Sequence, residues 1–153
     1  MAATGMAESK HALVGTWKLV SAKNTTEKGE VKDQMGPNPI GVLTYTADGR
    51  VSVFMADSGR KPFSKYPATA EEKIAALDTF FAYAGSYSLA GDKLTHHIEI
   101  CLVQAFVNTD QVRSVKLEGD RLTLRGGFLV GGVMYQPNNE VVWERMKPKT
   151  ADQ

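Results

Sequence analysis

The chain has a single cysteine, Cys101, in 153 residues, which excludes an intramolecular disulfide and any Cys-x-x-Cys redox or zinc pair. Charge of one sign is also missing: 18 Lys and Arg stand against 17 Asp and Glu, a formal net charge of +1. Such a balance offers no electrostatic footprint for a phosphate backbone or an anionic bilayer, so neither nucleic acid nor membrane is expected as a partner. No apolar run approaches the roughly 18–20 residues of a membrane helix. Met1 to Lys10 is small and polar, with no basic segment leading into an apolar one, so no secretion signal is expected. No glycine loop opens a helix, and no nucleophile elbow is present, which leaves kinase, dehydrogenase and hydrolase chemistry without support. A chain that needs no disulfide suits a reducing compartment, and a cytoplasmic location is expected. Cys101 lies in an apolar run and reads as a buried, inert thiol.

What is present is a regular beat of short β-type segments. Hydrophobic residues make up 42% and charged residues 23%, near the globular average, and the length suits one domain with its own core. The expected organisation is a flexible N-terminus over 1–10, one β-barrel domain over 11–147 and a flexible tail over 148–153. Strands are read at Leu13–Ala22, Gly41–Thr46, Val51–Met55, Ser86–Leu89, Leu94–Val103, Gln111–Leu117, Leu122–Arg125 and Glu140–Met146, with turns at Asp48-Gly49, Gly91-Asp92 and Gly119-Asp120. Thr69-Ala70-Glu71-Glu72 is a capping box, and Ile74, Leu77 and Phe81 follow at helical spacing, predicting one amphipathic helix over 70–82. Gly126-Gly127 and Gly131-Gly132 bracket Phe128-Leu129-Val130, the pattern of a bent strand or loop where backbone passes close to something else. About eight strands and one helix predict an all-β fold, an eight-stranded antiparallel barrel whose closure removes exposed edges.

The opening segment Gly15-Thr16-Trp17 resembles the first strand of lipocalin-like proteins, which carries a Gly-x-Trp. Gly41-Val42-Leu43-Thr44-Tyr45, Thr95-His96-His97-Ile98-Glu99, Gln111-Val112-Arg113 and Val142-Trp143-Glu144-Arg145 follow in the matching order. The set resembles the intracellular lipocalin-like domain family of bacteria and fungi over about residues 12–146. The resemblance implies an up-and-down barrel with an internal cavity for a small hydrophobic ligand or substrate. It also implies that Trp17 and Arg145 close one end, a cation over an aromatic face. The family's classical helix follows the last strand. Here the helix falls between strands, either as a lid over the mouth or packed on the outer wall.

Candidate chemistry centres on Leu94-Thr95-His96-His97-Ile98-Glu99-Ile100-Cys101. Alternation places His96 with Leu94, Ile98 and Ile100 on one face, and His97 with Thr95, Glu99 and Cys101 on the other. A histidine facing the cavity is a ready acid or base, with His97 and Glu99 as the alternate catalytic face. The competing reading packs His96 into core. His97 and Glu99 have metal-ligand spacing but lack a third ligand, so neither metal nor cofactor is expected. Tyr45, Phe54, Phe81, Tyr87, Arg113 and Phe128 are the expected ligand contacts, with Arg113 requiring an internal partner or a polar group on the ligand. Three functions remain open: a cofactor-free isomerase or cyclase of small-molecule metabolism, a carrier or sensor, or an interaction module with a filled barrel. The assembly is expected to be a monomer or homodimer.

Overall fold

A computed structural model describes residues 10–150. The expected N-terminal segment, apart from Lys10, and positions 151–153 of the expected tail lie outside the described residues. The chain forms β1 (Gly15–Thr25), β2 (Val31–Asp33), β3 (Pro39–Tyr45), β4 (Arg50–Asp57), α1 (Ala70–Asp78), β5 (Phe80–Ala90), β6 (Lys93–Cys101), β7 (Asp110–Glu118), β8 (Arg121–Arg125), β9 (Phe128–Val130), β10 (Val133–Tyr135) and β11 (Asn139–Arg145). Eight of these close a barrel in the order β1-β3-β4-β5-β6-β7-β8-β11, all antiparallel, with β11 returning to pair with β1. β2 extends the far half of β1, and β9 pairs with β10 as a separate hairpin.

The strands exist because their alternation buries one face and wets the other. Val51 and Val53 on β4, Leu94, His96 and Ile98 on β6, and Leu122 and Leu124 on β8 are buried within, between exposed or half-buried neighbours. Two register shifts break this beat, one at Val20 of β1 against β11 and one in β6 against β5. Between Ala84 and Gly85 the β5–β6 register shifts, so that Glu99 is an extra residue on β6. Gly85 makes the shift possible, since a Cβ there would sit 1.9 Å from the His97 carbonyl oxygen. Beyond the bulge the faces exchange: Ile100 is exposed, and Cys101 packs against the core beside Tyr83. The face assignment expected for Ile100 and Cys101 is therefore reversed.

The helix is shorter than its spacing predicts. Its capping box forms as expected, Glu72 N donating to Thr69 Oγ1 at 3.2 Å and Thr69 N to Glu72 Oε1 at 3.3 Å. Phe80, Phe81 and Ala82 belong instead to β5, where seven pairings with β4 outweigh local helix preference. The helix has no buried residue, leaves Ile74 and Leu77 exposed, and is tied by Arg60 Nη1 to the Ala76 carbonyl and Thr79 Oγ1. It does not line the barrel interior, so it is not the lid.

One end of the barrel is sealed. Residues 10–13 finish a helical turn whose free carbonyls turn toward the barrel. Trp17 Nε1 donates to the Leu13 carbonyl at 3.0 Å, while Arg145 donates to the carbonyls of Val14 (3.0 Å) and Ala12 (2.5 Å). The Arg145 guanidinium stacks 4.2 Å from the Trp17 ring centroid, with Asp120 at 3.5 Å from its Nε. The other end, where β4, β6 and β8 finish, is the mouth. No helix among the described residues is long and apolar enough to cross a membrane.

Candidate functional site

The barrel interior below the mouth is a cavity of about 320 Å³, within the usual size range of small-molecule sites. A filled barrel without ligand space does not fit this volume. Leu43, Val53, Met55, Phe81, Leu124 and Val141 form apolar walls, Trp143 and His96 stand deeper, and Arg113 enters from β7. Phe106, from a single 3-10 turn after β6, adds to the rim with Gln34 and Met35.

The roof is the β9–β10 hairpin. Phe128 and Tyr135 face the cavity, and Phe128 packs against Phe106 and Phe81 at centroid distances of 4.7 and 5.5 Å. The Gln111 side chain holds it as a backbone strand would, accepting from Leu129 N at 2.7 Å and donating to the Leu129 carbonyl at 2.9 Å. Arg113 Nη1 donates to the Gly127 carbonyl. Gly127 must lack a side chain, because a Cβ would meet the Tyr135 carbonyl oxygen at 2.0 Å. The first glycine pair thus marks a close backbone approach, as the sequence suggests, whereas Gly131 and Gly132 turn the hairpin at positive φ with nothing within 4 Å of a Cβ position.

His96 is 1% exposed and lies between two phenols: Nε2 is 2.8 Å from Tyr45 Oη, and Nδ1 is 2.7 Å from Tyr83 Oη. Burial, reinforced by the Arg113 charge, lowers its pKa to about 3. Both phenols are also buried; Tyr45 is raised well above its ordinary value and Tyr83 is pushed up to about 12, each mainly by desolvation. All three groups are therefore neutral near pH 7. A neutral imidazole has one N–H and one lone pair, so one phenol donates to it and the other accepts from it. The accepting phenol keeps its own O–H for another partner. Tyr83 borders the cavity and Tyr45 does not, so a spare O–H is satisfiable at Tyr83 and stranded at Tyr45. The favoured arrangement runs Tyr45 O–H to Nε2, then Nδ1–H to Tyr83, leaving the Tyr83 O–H for the cavity.

Arg113 is 7% exposed. Burial lowers its pKa, an effect partly countered by the two tyrosines. Its guanidinium stacks 4.5 Å from the Phe128 centroid, and Nη1 also donates to the Val112 carbonyl at 3.1 Å. Among the described residues no carboxylate comes within ion-pair distance of it. The Trp143 Nε1–H and Asn139 Oδ1 are buried without a hydrogen-bond partner, and both residues line the cavity.

Of the residues expected at the site, His96, Arg113, Phe81 and Phe128 line the cavity. Tyr45 lies beneath it, bonded to His96. Four others require correction. His97 points outward, its Nδ1 2.7 Å from Asp110 Oδ1, and Glu99 is paired on the outer surface with Arg50 at 2.9 Å, so neither joins His96. Phe54 is 49% exposed because it has the opposite parity to the inward Val53 and Met55. Tyr87 belongs to the sealed end, donating to the Thr46 carbonyl at 2.8 Å. No group of three His, Cys, Asp or Glu side chains that could hold a metal is found among the described residues. Cys101 is half-buried, and desolvation raises its thiol pKa. The sequence reading takes Tyr83 as apolar cover or core and so missed its hydrogen bond to His96, and it missed Trp143 and Asn139 as cavity residues. For the last two the signal was available, since 139, 141, 143 and 145 share parity with the inward Arg145.

A family model described as a lipocalin-like domain matches residues 14–146. No curated protein matches the chain. Among solved structures, a redesigned beta barrel is similar at 11% identity and a TM-score of 0.45, covering 90% of this chain and 95% of its own. A likeness at that level carries no argument about function.

Proposed function

The chain belongs to the lipocalin-like domain family, and from that premise we propose that its barrel binds a small, largely apolar molecule and isomerises or cyclises it without a cofactor. The observation that carries the reading is the Tyr45–His96–Tyr83 chain, which ends in a spare phenol O–H at a largely apolar cavity. A buried polar chain pre-set in this way serves charge that develops on a reacting molecule. Tyr83 donates a hydrogen bond to a carbonyl oxygen of the substrate and withdraws electron density from the conjugated carbons. The walls hold a flexible substrate in a folded, reactive shape. Bonds then rearrange within one molecule, so the product has the same atoms and no oxidant or co-reactant is consumed. His96 acts through Tyr83 as a positioning residue, because both of its nitrogens are occupied.

The test uses an organic extract of the source cells, followed by mass spectrometry. Wild-type protein is expected to consume one compound and yield another of identical mass and different retention. Tyr83→Phe slows that conversion by roughly tenfold or more, while binding of the neutral fluorophore N-phenyl-1-naphthylamine stays unchanged. A compound that binds and is recovered unaltered overturns catalysis in favour of a carrier or sensor. That second reading has its own support: His96 has a pKa of about 3 and no free nitrogen, so it provides no general base.

A further inference from the structure

We propose that the molecule held in the barrel carries a single anionic oxygen group, of the carboxylate or acidic-enol type, seated on Arg113. This rests on the reading of the cavity as a ligand site. A guanidinium has five N–H donors. Nη1 spends its pair on the Val112 and Gly127 carbonyls, and the donors on Nε and Nη2 have no hydrogen-bond partner among the described residues. A buried cation without counter-charge is costly, and that cost is relieved by an anion brought in with the ligand. Arg113 is the one charged residue among those lining the cavity; the titratable groups around it, Tyr45, Tyr83 and His96, are neutral near pH 7.

A second observation is independent of charge. Trp143, whose buried Nε1–H has no hydrogen-bond partner among the described residues, lines the same cavity, and with the spare Tyr83 O–H it adds a second neutral donor beside the guanidinium. Acceptors are also present: the Asn139 Oδ1 is unpartnered among the described residues, and Gln34 and Gln136 line the rim, fit for a hydroxyl elsewhere on the ligand. The apolar remainder of the wall excludes a heavily hydrated polyanion, so a monoanion on an apolar body is the fitting class.

The experiment titrates the protein with two fluorophores of the same body, N-phenyl-1-naphthylamine and 8-anilinonaphthalene-1-sulfonate, which differ by one anionic group. Wild type is expected to prefer the anion by on the order of tenfold or more. Arg113→Met abolishes the preference and leaves the neutral probe within about twofold, whereas Arg113→Lys retains part of it. Trp143→Phe, which removes the N–H and keeps an aromatic ring, weakens the anion several-fold and not the neutral probe. Equal affinities in wild type, or a preference that survives Arg113→Met, overturn the proposal and leave the cavity reading intact. Failure of the neutral probe to bind wild type overturns the cavity reading and this proposal together. The wild-type ratio and Trp143→Phe decide the matter even if Arg113→Met does not fold.

Discussion

Both ends of the barrel use one device, an arginine laid over an aromatic ring and tied to backbone carbonyls. At the sealed end Arg145 covers Trp17 at 4.2 Å, binds the carbonyls of Ala12 and Val14, and has Asp120 at 3.5 Å. At the mouth Arg113 covers Phe128 at 4.5 Å and binds the carbonyls of Val112 and Gly127, with no carboxylate beside it among the described residues. The first arginine has its charge matched by Asp120 and a carbonyl on each of its terminal nitrogens. The second keeps charge and donors in reserve, inside a cavity. On the proposed reading, the same motif serves stability at the sealed end and recognition at the mouth.

Stability measurements separate the two ends most strongly. Trp17→Ala is expected to cost on the order of 3–5 kcal/mol, and Arg145→Met on the order of 2 kcal/mol, by orphaning the half-buried carbonyls of Ala12 and Val14 together with Asp120. Arg113→Met is expected to stay within about 1 kcal/mol of wild type, since the lost bond to the buried Gly127 carbonyl is offset by removal of an uncompensated buried cation. Urea denaturation reads all three, and equal losses at the two arginines would erase the distinction.

His96, at the floor of the reserved region, adds a pH test. Its pKa is 6.5 when free and about 3 in the fold. Between these values the unfolded chain binds the extra proton, so stability falls as pH is lowered from about 6.5 toward 3. The slope contributed approaches 1.4 kcal/mol per pH unit. His96→Gln keeps a donor and an acceptor between the phenols and removes this component. Parallel wild-type and variant curves between pH 4 and 6 (on the order of two units) would refute it.

Smaller effects sharpen the contrast further. Gln111→Leu removes both side-chain bonds to Leu129 and is expected to cost about 1 kcal/mol. Hydrogen exchange at Leu129 and Val130 then accelerates while β1–β11 amides stay protected; uniform acceleration would mean that the roof is integral to the barrel. Glu99→Gln and His97→Ala are expected to change stability by no more than about 0.5 kcal/mol and to leave fluorophore binding untouched. A lost binding signal would place the outer face in the site after all.

Period-two alternation carried much of this arrangement. Arg113 between Val115 and Gln111 was legible as inward because the alternation on β7 is unbroken, and Leu94 and Ile98 marked the apolar face of His96 without deciding which histidine meets the cavity. Phe54 was misjudged by size over parity. Ile100 and Cys101 exchanged faces at a bulge that depends on Gly85 meeting the His97 carbonyl, a contact between two strands that one strand's pattern does not contain. Tyr83 was hidden because Ile74, Leu77 and Phe81 mimic a longer helix across the start of β5. Tyr87 required knowing which end of its strand is sealed, and that follows from the register Tyr87↔His96 and the Tyr87 bond to Thr46.

The roof hairpin has a kinetic consequence. β9 and β10 pair with each other and, among the described residues, with no barrel strand. Lifting them breaks the Gln111 and Arg113 links and the Phe128 packing, while all eight barrel strands stay hydrogen-bonded. Exchange of a guest molecule is thus uncoupled from global unfolding. Residence time becomes a local property, adjustable at Gln111 while the barrel strands stay paired.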